Sequence, residues 1–171
     1  LNAFEIDNEG NVYLAGDGQY PDGPGFSMAS FVMKTSKTFV TRWSRMDSVQ
    51  TSYTRLHVDN QQRVTLIEDF YSMYPAIKVI RINKTGTQAT AITVVPDSMR
   101  YNLYSLIDKK NNLFLYGGKM VNDSVQAAFL CKLPANAGSL HFRKTIHTAP
   151  SSLMNDIRID PGGRMFGLAT L

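Results

Sequence analysis

The chain alternates between short apolar runs and short polar turns over its whole length. Near the start, "FEI" (residues 4–6) leads into the turn "DNEG", and the apolar run "VYLAG" (12–16) follows. Two such runs separated by a short turn rich in Asp and Gly are typical of a β-hairpin. No segment shows the 3.6-residue period of an amphipathic helix. The pattern therefore predicts an all-β fold.

This first hairpin recurs along the chain. "IDNEGNVYL" returns as "VDNQQRVTL", then as "IDKKNNLFL" and finally as "IDPGGRMFG". The aspartates of successive copies are separated by 52, 49 and 52 residues, which indicates an internal repeat of about 50 residues. These aspartates are Asp7, Asp59, Asp108 and Asp160.

Each copy places the same residue types in the turn. An aspartate suits the first position because its carboxylate can accept the backbone N–H two residues further on. The position three residues after the aspartate needs a residue that tolerates a positive φ. We therefore expect positive φ at Gly10, Gln62, Asn111 and Gly163.

A second hairpin follows in each full copy, and its first strand carries a base after an apolar run, at Lys34, Arg81 and Lys132. Four antiparallel strands in about 50 residues are typical of one blade of a β-propeller. The sequence thus predicts a single partial β-propeller domain over residues 1–171. It would have three four-stranded blades and the first hairpin of a fourth, over about 1–50, 51–100, 101–150 and 151–171.

The stretch "DNEGNVYLAG" (7–16) followed by "FVMK" (31–34) resembles the β-propeller repeats of large secreted and surface proteins of bacteria. In those repeats a D-x-x-G-N-x-Y-x-x-G hairpin precedes an F-V-x-K hairpin. Residues 108–117 and 129–133 fit the pattern next best, whereas the second copy departs from it at Gln62, Arg63 and Glu68. The resemblance implies a propeller fold and an extracellular or cell-surface location, and it implies no particular activity.

Propellers commonly have about four to eight blades, so three and a half blades would not close a ring. Apolar sheet faces of that size are rarely left in water. We therefore expect further blades or another chain to cover both open flanks. The chain begins with Leu1, and we expect it to be a fragment of a longer polypeptide.

Composition and charge exclude several classes of protein. The longest apolar runs have about five residues, far fewer than the roughly 20 that a membrane-spanning helix requires. The formal net charge is +4, but the basic residues are scattered, so we expect no nucleic-acid partner. The single cysteine, Cys131, rules out a disulfide within the chain and lies in an apolar run, where we expect it to be buried.

Propellers usually bind ligands through loops at the mouth of the central channel. Here the loops predicted between the second and third strands are residues 17–30, 68–75 and 118–126. Tyrosines, acids and a lysine in these loops suit a protein or carbohydrate ligand, although solvated loops with incidental tyrosines would look the same. The candidate rim residues are Tyr20, Asp22, Tyr71, Tyr74 and Lys119.

Metal and catalytic motifs are weak. Asp7, Glu9 and Asn11 alternate as in the start of a calcium loop, but Val12 stands where such a loop has glycine. His57 lies on a predicted strand with no accompanying nucleophile motif. We therefore predict no catalytic residue, no metal ligand and no cofactor.

These observations favour a non-catalytic binding or scaffolding module whose ligand contacts lie in the rim loops. Two alternatives remain open from the sequence. One is a structural subunit of a large assembly, docked through the open blade flanks. The other is a hydrolase or lyase with acids at the channel mouth.

Overall fold

The structure is a computed structural model that describes residues 1–22, 24–47, 51–70, 77–95, 101–122, 125–136, 138–139, 141–149 and 152–170. Over these ranges it contains fourteen β-strands and no helix. All the strand pairs are antiparallel. The predicted all-β class is confirmed.

The strands form three four-stranded sheets and one two-stranded sheet, each with neighbouring strands in chain order. The chain divides into two compact units, Leu1–Asp97 and Ser98–Leu171. The first unit contains sheets I and II. Sheet I consists of β1 (Ala3–Ile6), β2 (Val12–Asp22), β3 (Gly25–Thr35) and β4 (Thr41–Asp47), and sheet II of β5 (Thr51–Val58), β6 (Val64–Phe70), β7 (Ile77–Ile82) and β8 (Ala89–Val95).

The second unit contains sheets III and IV. Sheet III repeats the four-stranded arrangement, and sheet IV is a single hairpin. Sheet III consists of β9 (Tyr101–Ile107), β10 (Leu113–Asn122), β11 (Val125–Leu133) and β12 (Phe142–Ala149), and sheet IV of β13 (Leu153–Ile159) and β14 (Met165–Thr170).

The repeated turn has the predicted structure in every copy. The Asp7 carboxylate accepts the backbone N–H groups of Glu9 and Asn11, at 2.9 Å each. The other three aspartates each accept the N–H of the residue four positions on, at 2.8–2.9 Å. The position three residues after each aspartate has a φ between 60° and 83°, at Gly10, Gln62, Asn111 and Gly163. The aspartate therefore closes the turn that this left-handed residue allows.

The hairpins at the far end of the sheets are longer than predicted. Residues 17–30, expected to be a loop, lie mostly in paired strands, because β2 and β3 stay in register as far as the pair Asp22 and Gly25. Most of residues 118–126 also pair, up to Asn122 and Val125. The glycine and proline residues of these segments mostly lie in paired strands. The prediction of long loops was therefore wrong for these two segments.

Each unit has a core formed where two sheets pack face to face. In the first unit, Tyr13, Ala15 and Val32 of sheet I are fully buried against an apolar face of sheet II. That face consists of Tyr53, Leu56, Val64, Leu66, Ile80 and Ile82.

In the second unit, Phe114, Tyr116 and Leu130 of sheet III pack on Met154 and Ile157 of sheet IV. Phe114, Tyr116 and Leu130 occupy the repeat positions of Tyr13, Ala15 and Val32. The repeat therefore uses the same positions for sheet packing in both units.

Candidate functional site

Three of the candidate rim residues lie on the long hairpins of sheets I and III. Tyr20 pairs with Ser27 on β3, and Asp22 pairs with Gly25 beside the hairpin turn. Lys119 lies on β10, paired with Ala127 and Tyr101. The side chains of these three residues, and the whole of Tyr71 and Tyr74, lie outside the described part of the structure. Their role in binding stays a prediction.

A buried cation links sheet I to the turn of sheet II. Lys34 is only 7% exposed, and its Nζ lies 5.1 Å from the centre of the Tyr13 ring and 3.9 Å from Asp7 Oδ2. Its Nζ donates a hydrogen bond to Gln62 Oε1 at 2.8 Å. Burial lowers the pKa of Lys34, and Asp7 partly offsets this effect. The base predicted after the apolar run is therefore a link between neighbouring sheets.

A carboxylate makes a second link between the same two sheets. Glu5 Oε2 on β1 accepts the backbone N–H of Val58 on β5 at 2.7 Å. Burial raises the pKa of Glu5, and the Val58 hydrogen bond partly opposes that rise. This position holds Glu, His, Leu and Arg in the four copies, so nothing in the repeat pattern could have predicted the link.

A third polar link lies towards the far end of the sheets. Ser52 Oγ on β5 donates to Asp17 Oδ1 on β2 at 2.8 Å and accepts from Asn2 Nδ2 at 2.8 Å. Asn2 also donates to Asp17. Hydrogen bonds from Asn2 and Ser52 lower the pKa of Asp17 despite some burial. The hydrogen bonds among Asn2, Asp17 and Ser52 therefore help to hold sheets I and II together.

The alternating oxygen-bearing residues of the first turn serve the turn itself. Asp7 Oδ2 accepts from Asn11 Nδ2 at 2.8 Å and from the Tyr13 hydroxyl at 3.0 Å. Burial acts to raise the pKa of Asp7, but these bonds and those from the backbone outweigh it and lower the pKa. Within the described ranges, no three His, Cys, Asp or Glu side chains lie close enough together to hold a metal ion.

The remaining candidate groups for chemistry lie on strands, with His57 partly buried and Cys131 buried. His57 lies on β5 opposite Thr65 of β6, and burial lowers its pKa to about 4. The thiol of Cys131 is buried, as predicted. Both side chains occupy strand positions within packed sheets.

One apolar face of sheet I is only partly covered. We call it the outer face, and Phe4 and Ile6 on it are 66% and 58% exposed. It also includes three partly buried residues, namely Val12 and Leu14 on β2 and Met33 on β3. In β1–β3 the pairings are Ile6 with Val12, Phe4 with Leu14, and Leu14 with Met33.

The outer face corresponds position by position to the face of sheet II that packs on sheet I. In sheet II the equivalent pairings are Val58 with Val64, Leu56 with Leu66, and Leu66 with Ile80. Leu56, Val64, Leu66 and Ile80 are buried in the core of the first unit. Sheet I therefore carries a packing face of the same kind as that of sheet II.

Sheet IV shows the opposite face of the repeat. Phe166 and Leu168 on β14 are 58% and 65% exposed. They stand six and eight residues after the turn aspartate Asp160, as Tyr13 and Ala15 stand after Asp7. Tyr13 and Ala15 are fully buried against sheet II. The exposed pair in sheet IV thus occupies positions that elsewhere in the repeat pack on a following sheet.

No protein-family model matches the chain, and no curated protein matches it at a significant level. Among the described residues there is also no helix with the length and apolar character needed to cross a membrane. The resemblance to bacterial propeller repeats therefore rests on the residues of this chain alone.

Proposed function

We propose that the chain is part of a β-propeller that acts as a non-catalytic binding or scaffolding module. The observation that carries this proposal is the partly exposed outer face of sheet I, whose pairings Ile6–Val12, Phe4–Leu14 and Leu14–Met33 match three apolar pairings on the packing face of sheet II. Such a match is expected of blades stacked in series, each burying a face that it cannot bury alone. An apolar sheet face that is available for packing favours a scaffolding role.

The occupant that we propose for the outer face is a further four-stranded sheet of the same repeat. That sheet would present residues equivalent to Tyr13, Ala15 and Val32, because those positions form the complementary side of the packing between sheets I and II. Sheet IV exposes two such positions, at Phe166 and Leu168. The two exposed faces are therefore the two halves of one kind of interface, as successive blades require.

The second candidate function is a structural subunit of a large assembly, and the same exposed residues favour it. In that case a sheet of another polypeptide covers the outer face. Intact mass of the protein from its native source, with identification of the bound chains, distinguishes this arrangement from further blades in the same polypeptide.

A labelling experiment tests whether the outer face is covered. The single native cysteine is buried, so an introduced cysteine can be followed with a maleimide reagent. Ile6→Cys should react readily in the 171-residue chain and at least about tenfold more slowly in the intact native protein, because a packed face excludes the reagent. Val40→Cys, at a 57% exposed position outside this face, should react equally in both. Equal reactivity of Ile6→Cys in both would overturn the proposal.

Ligand contacts in this proposal involve the predicted rim residues Tyr20, Asp22, Tyr71, Tyr74 and Lys119. The strands β2 and β3 have eleven residues each, so their turn is carried well beyond the buried core. Rigid strands that hold a turn away from the core are a common way to present binding residues.

An oligosaccharide array and a peptide array, probed with the intact protein, test this placement. Tyr20→Ala should abolish a signal that Thr38→Ala, in the turn between β3 and β4, leaves unchanged. Loss of signal in the Thr38→Ala variant alone would place binding at the other end of the sheets.

A further inference from the structure

A cavity of about 760 Å³ lies between sheets III and IV at the end where the aspartate turns lie. Apolar side chains form much of its wall, including Phe114 on sheet III and Ile157, Ile159 and Met165 on sheet IV. This volume lies within the range of about 300–1,000 Å³ that small-molecule sites occupy. The cavity belongs to the second unit alone and is separate from the outer face of sheet I.

The cavity occurs where the repeat has lost two links that join sheets I and II. In the first unit Lys34 binds Gln62, and Glu5 binds the N–H of Val58. The equivalent of Gln62 is Gly163, which has no side chain to offer. The equivalent of Glu5 is Leu106, which has no acceptor.

The donors of these two lost links remain in the second unit. Lys132, the equivalent of Lys34, lines the cavity with its Nζ 5.4 Å from the centre of the Phe114 ring. Ile159, the equivalent of Val58, also lines the cavity. Its N–H points away from β14, because the adjacent Asp160 N–H already donates across the hairpin to Arg164. An ammonium group and a backbone N–H group thus remain where the first unit supplies acceptors.

The acids that line the cavity are engaged by other donors. Asp108 accepts from the backbone of Lys110 and from Asn112, and Asp160 pairs with Arg164 at 2.7 Å. Asp156 pairs with Arg158 at 3.2 Å. In the described part of the chain, the partner found for the Lys132 ammonium is the Phe114 ring. The lining also contains more bases than acids, namely Lys109, Lys110, Lys132 and Arg158 against Asp108, Asp156 and Asp160.

We propose that this cavity binds a small organic anion with an apolar body, held by its carboxylate on Lys132. The apolar body would lie on Phe114, Ile157 and Met165, and the carboxylate would replace the acceptor that Gln62 supplies in the first unit. A charge-assisted hydrogen bond in a partly apolar site is stronger than a neutral one, so the anion should be selected over its neutral analogue. This site is additional to the scaffold function proposed above.

The test uses 4-phenylbutyrate as the probe and 4-phenylbutan-1-ol as its neutral analogue. Both are titrated into the 171-residue chain while the methyl groups of Ile157, Ile159 and Met165 are followed by NMR. Ile80 and Ile82, buried in the core of the first unit, serve as internal reference methyls. We expect saturable shifts at the cavity methyls alone, and affinity about tenfold higher for the acid than for the alcohol.

Two variants make the test specific. Lys132→Met should lower the affinity for 4-phenylbutyrate about tenfold and leave that for the alcohol unchanged, since it removes the charge but keeps an apolar chain. Lys144→Met, at an exposed lysine of β12, is the matched control and should change neither affinity.

Gly163→Gln restores the acceptor of the first unit and should weaken binding of both probes. A Cβ at Gly163 meets no atom within 4 Å, and Gln62 already adopts the same left-handed backbone, so the variant is expected to fold. Shifts spread over the reference methyls, equal affinity for acid and alcohol, or an unchanged affinity in Lys132→Met would each overturn the proposal. None of these outcomes bears on the covering of the outer face.

Discussion

Lys34 on β3 donates a hydrogen bond to Gln62 in the turn between β5 and β6, with Nζ and Oε1 2.8 Å apart. The bond joins the base of one repeat to the left-handed residue of the next. Lys34 is almost fully buried, so its charge has little water to interact with and depends on Gln62, the Tyr13 ring and Asp7. A buried cation with several weak partners makes the alignment of the two sheets specific.

We expect the Lys34–Gln62 pair to be energetically coupled. A double-mutant cycle with Lys34→Met and Gln62→Gly should give a coupling of about 1 kcal/mol in the free energy of unfolding, measured by urea denaturation. The change Gln62→Gly relieves the same backbone strain in the single variant and in the double variant, so this strain cancels in the coupling energy. The exposed Lys37, tested in the same cycle, should show coupling near zero; similar coupling at Lys37 would contradict the assigned link.

Equivalent valines in sheets I and II should respond differently to a charge. Val64 is fully buried between the two sheets, whereas Val12, at the same repeat position on the outer face, is only partly buried. Val64→Asp should destabilise the 171-residue chain by about 3 kcal/mol or more, because it buries an unpaired carboxylate. Val12→Asp should cost about 1 kcal/mol in the same urea denaturation. Equal losses would show that the outer face is buried already.

The turn between β7 and β8 can be tested through the single tryptophan. Gly86 has a φ of 75°, and a Cβ there would lie 2.7 Å from the Trp43 ring. Trp43 Nε1 also donates to Lys84 O at 3.0 Å. Gly86→Ala should therefore displace the indole, shift its fluorescence emission to longer wavelength and destabilise the protein by about 2 kcal/mol.

Gly163→Ala is the matched control for this effect. It has a similar φ of 83° but open space around the added methyl group. It should cost about 1 kcal/mol from backbone strain alone and leave the emission of Trp43 unchanged. An emission shift in both variants would mean that the shift reports lost stability and not the contact with Trp43.

Stability should fall as the pH drops from about 6.5 to 4 because of His57. Burial lowers the pKa of His57 from 6.5 to about 4 in the folded protein. The unfolded chain therefore binds more protons in this interval, and the free energy of unfolding decreases as the pH falls. We expect a loss of about 2 kcal/mol across the interval, measured by urea denaturation at several pH values. In His57→Gln this part of the loss should disappear, and an unchanged profile would place the titrating group elsewhere.

The turns could be predicted in detail because their structure is local. An aspartate followed three residues later by a position of positive φ specifies hydrogen bonds within five residues, so the sequence alone identified Asp59 and Gln62 in their roles. The long hairpins could not be predicted in the same way. Proline and glycine in residues 17–30 suggested a loop, whereas pairing along the whole of β2 and β3 holds most of this segment as strand.

The sequence by itself determined the all-β class, the period of the repeat and the four aspartate turns, because each depends on residue type and spacing along the chain. Only the tertiary structure decided which apolar positions are covered. Leu56 and Phe4 have the same place in the repeat, yet Leu56 is buried and Phe4 is 66% exposed, since only Leu56 lies against a neighbouring sheet. Burial depends on the partner across the interface, and the spacing of residues within one repeat carries no information about that partner.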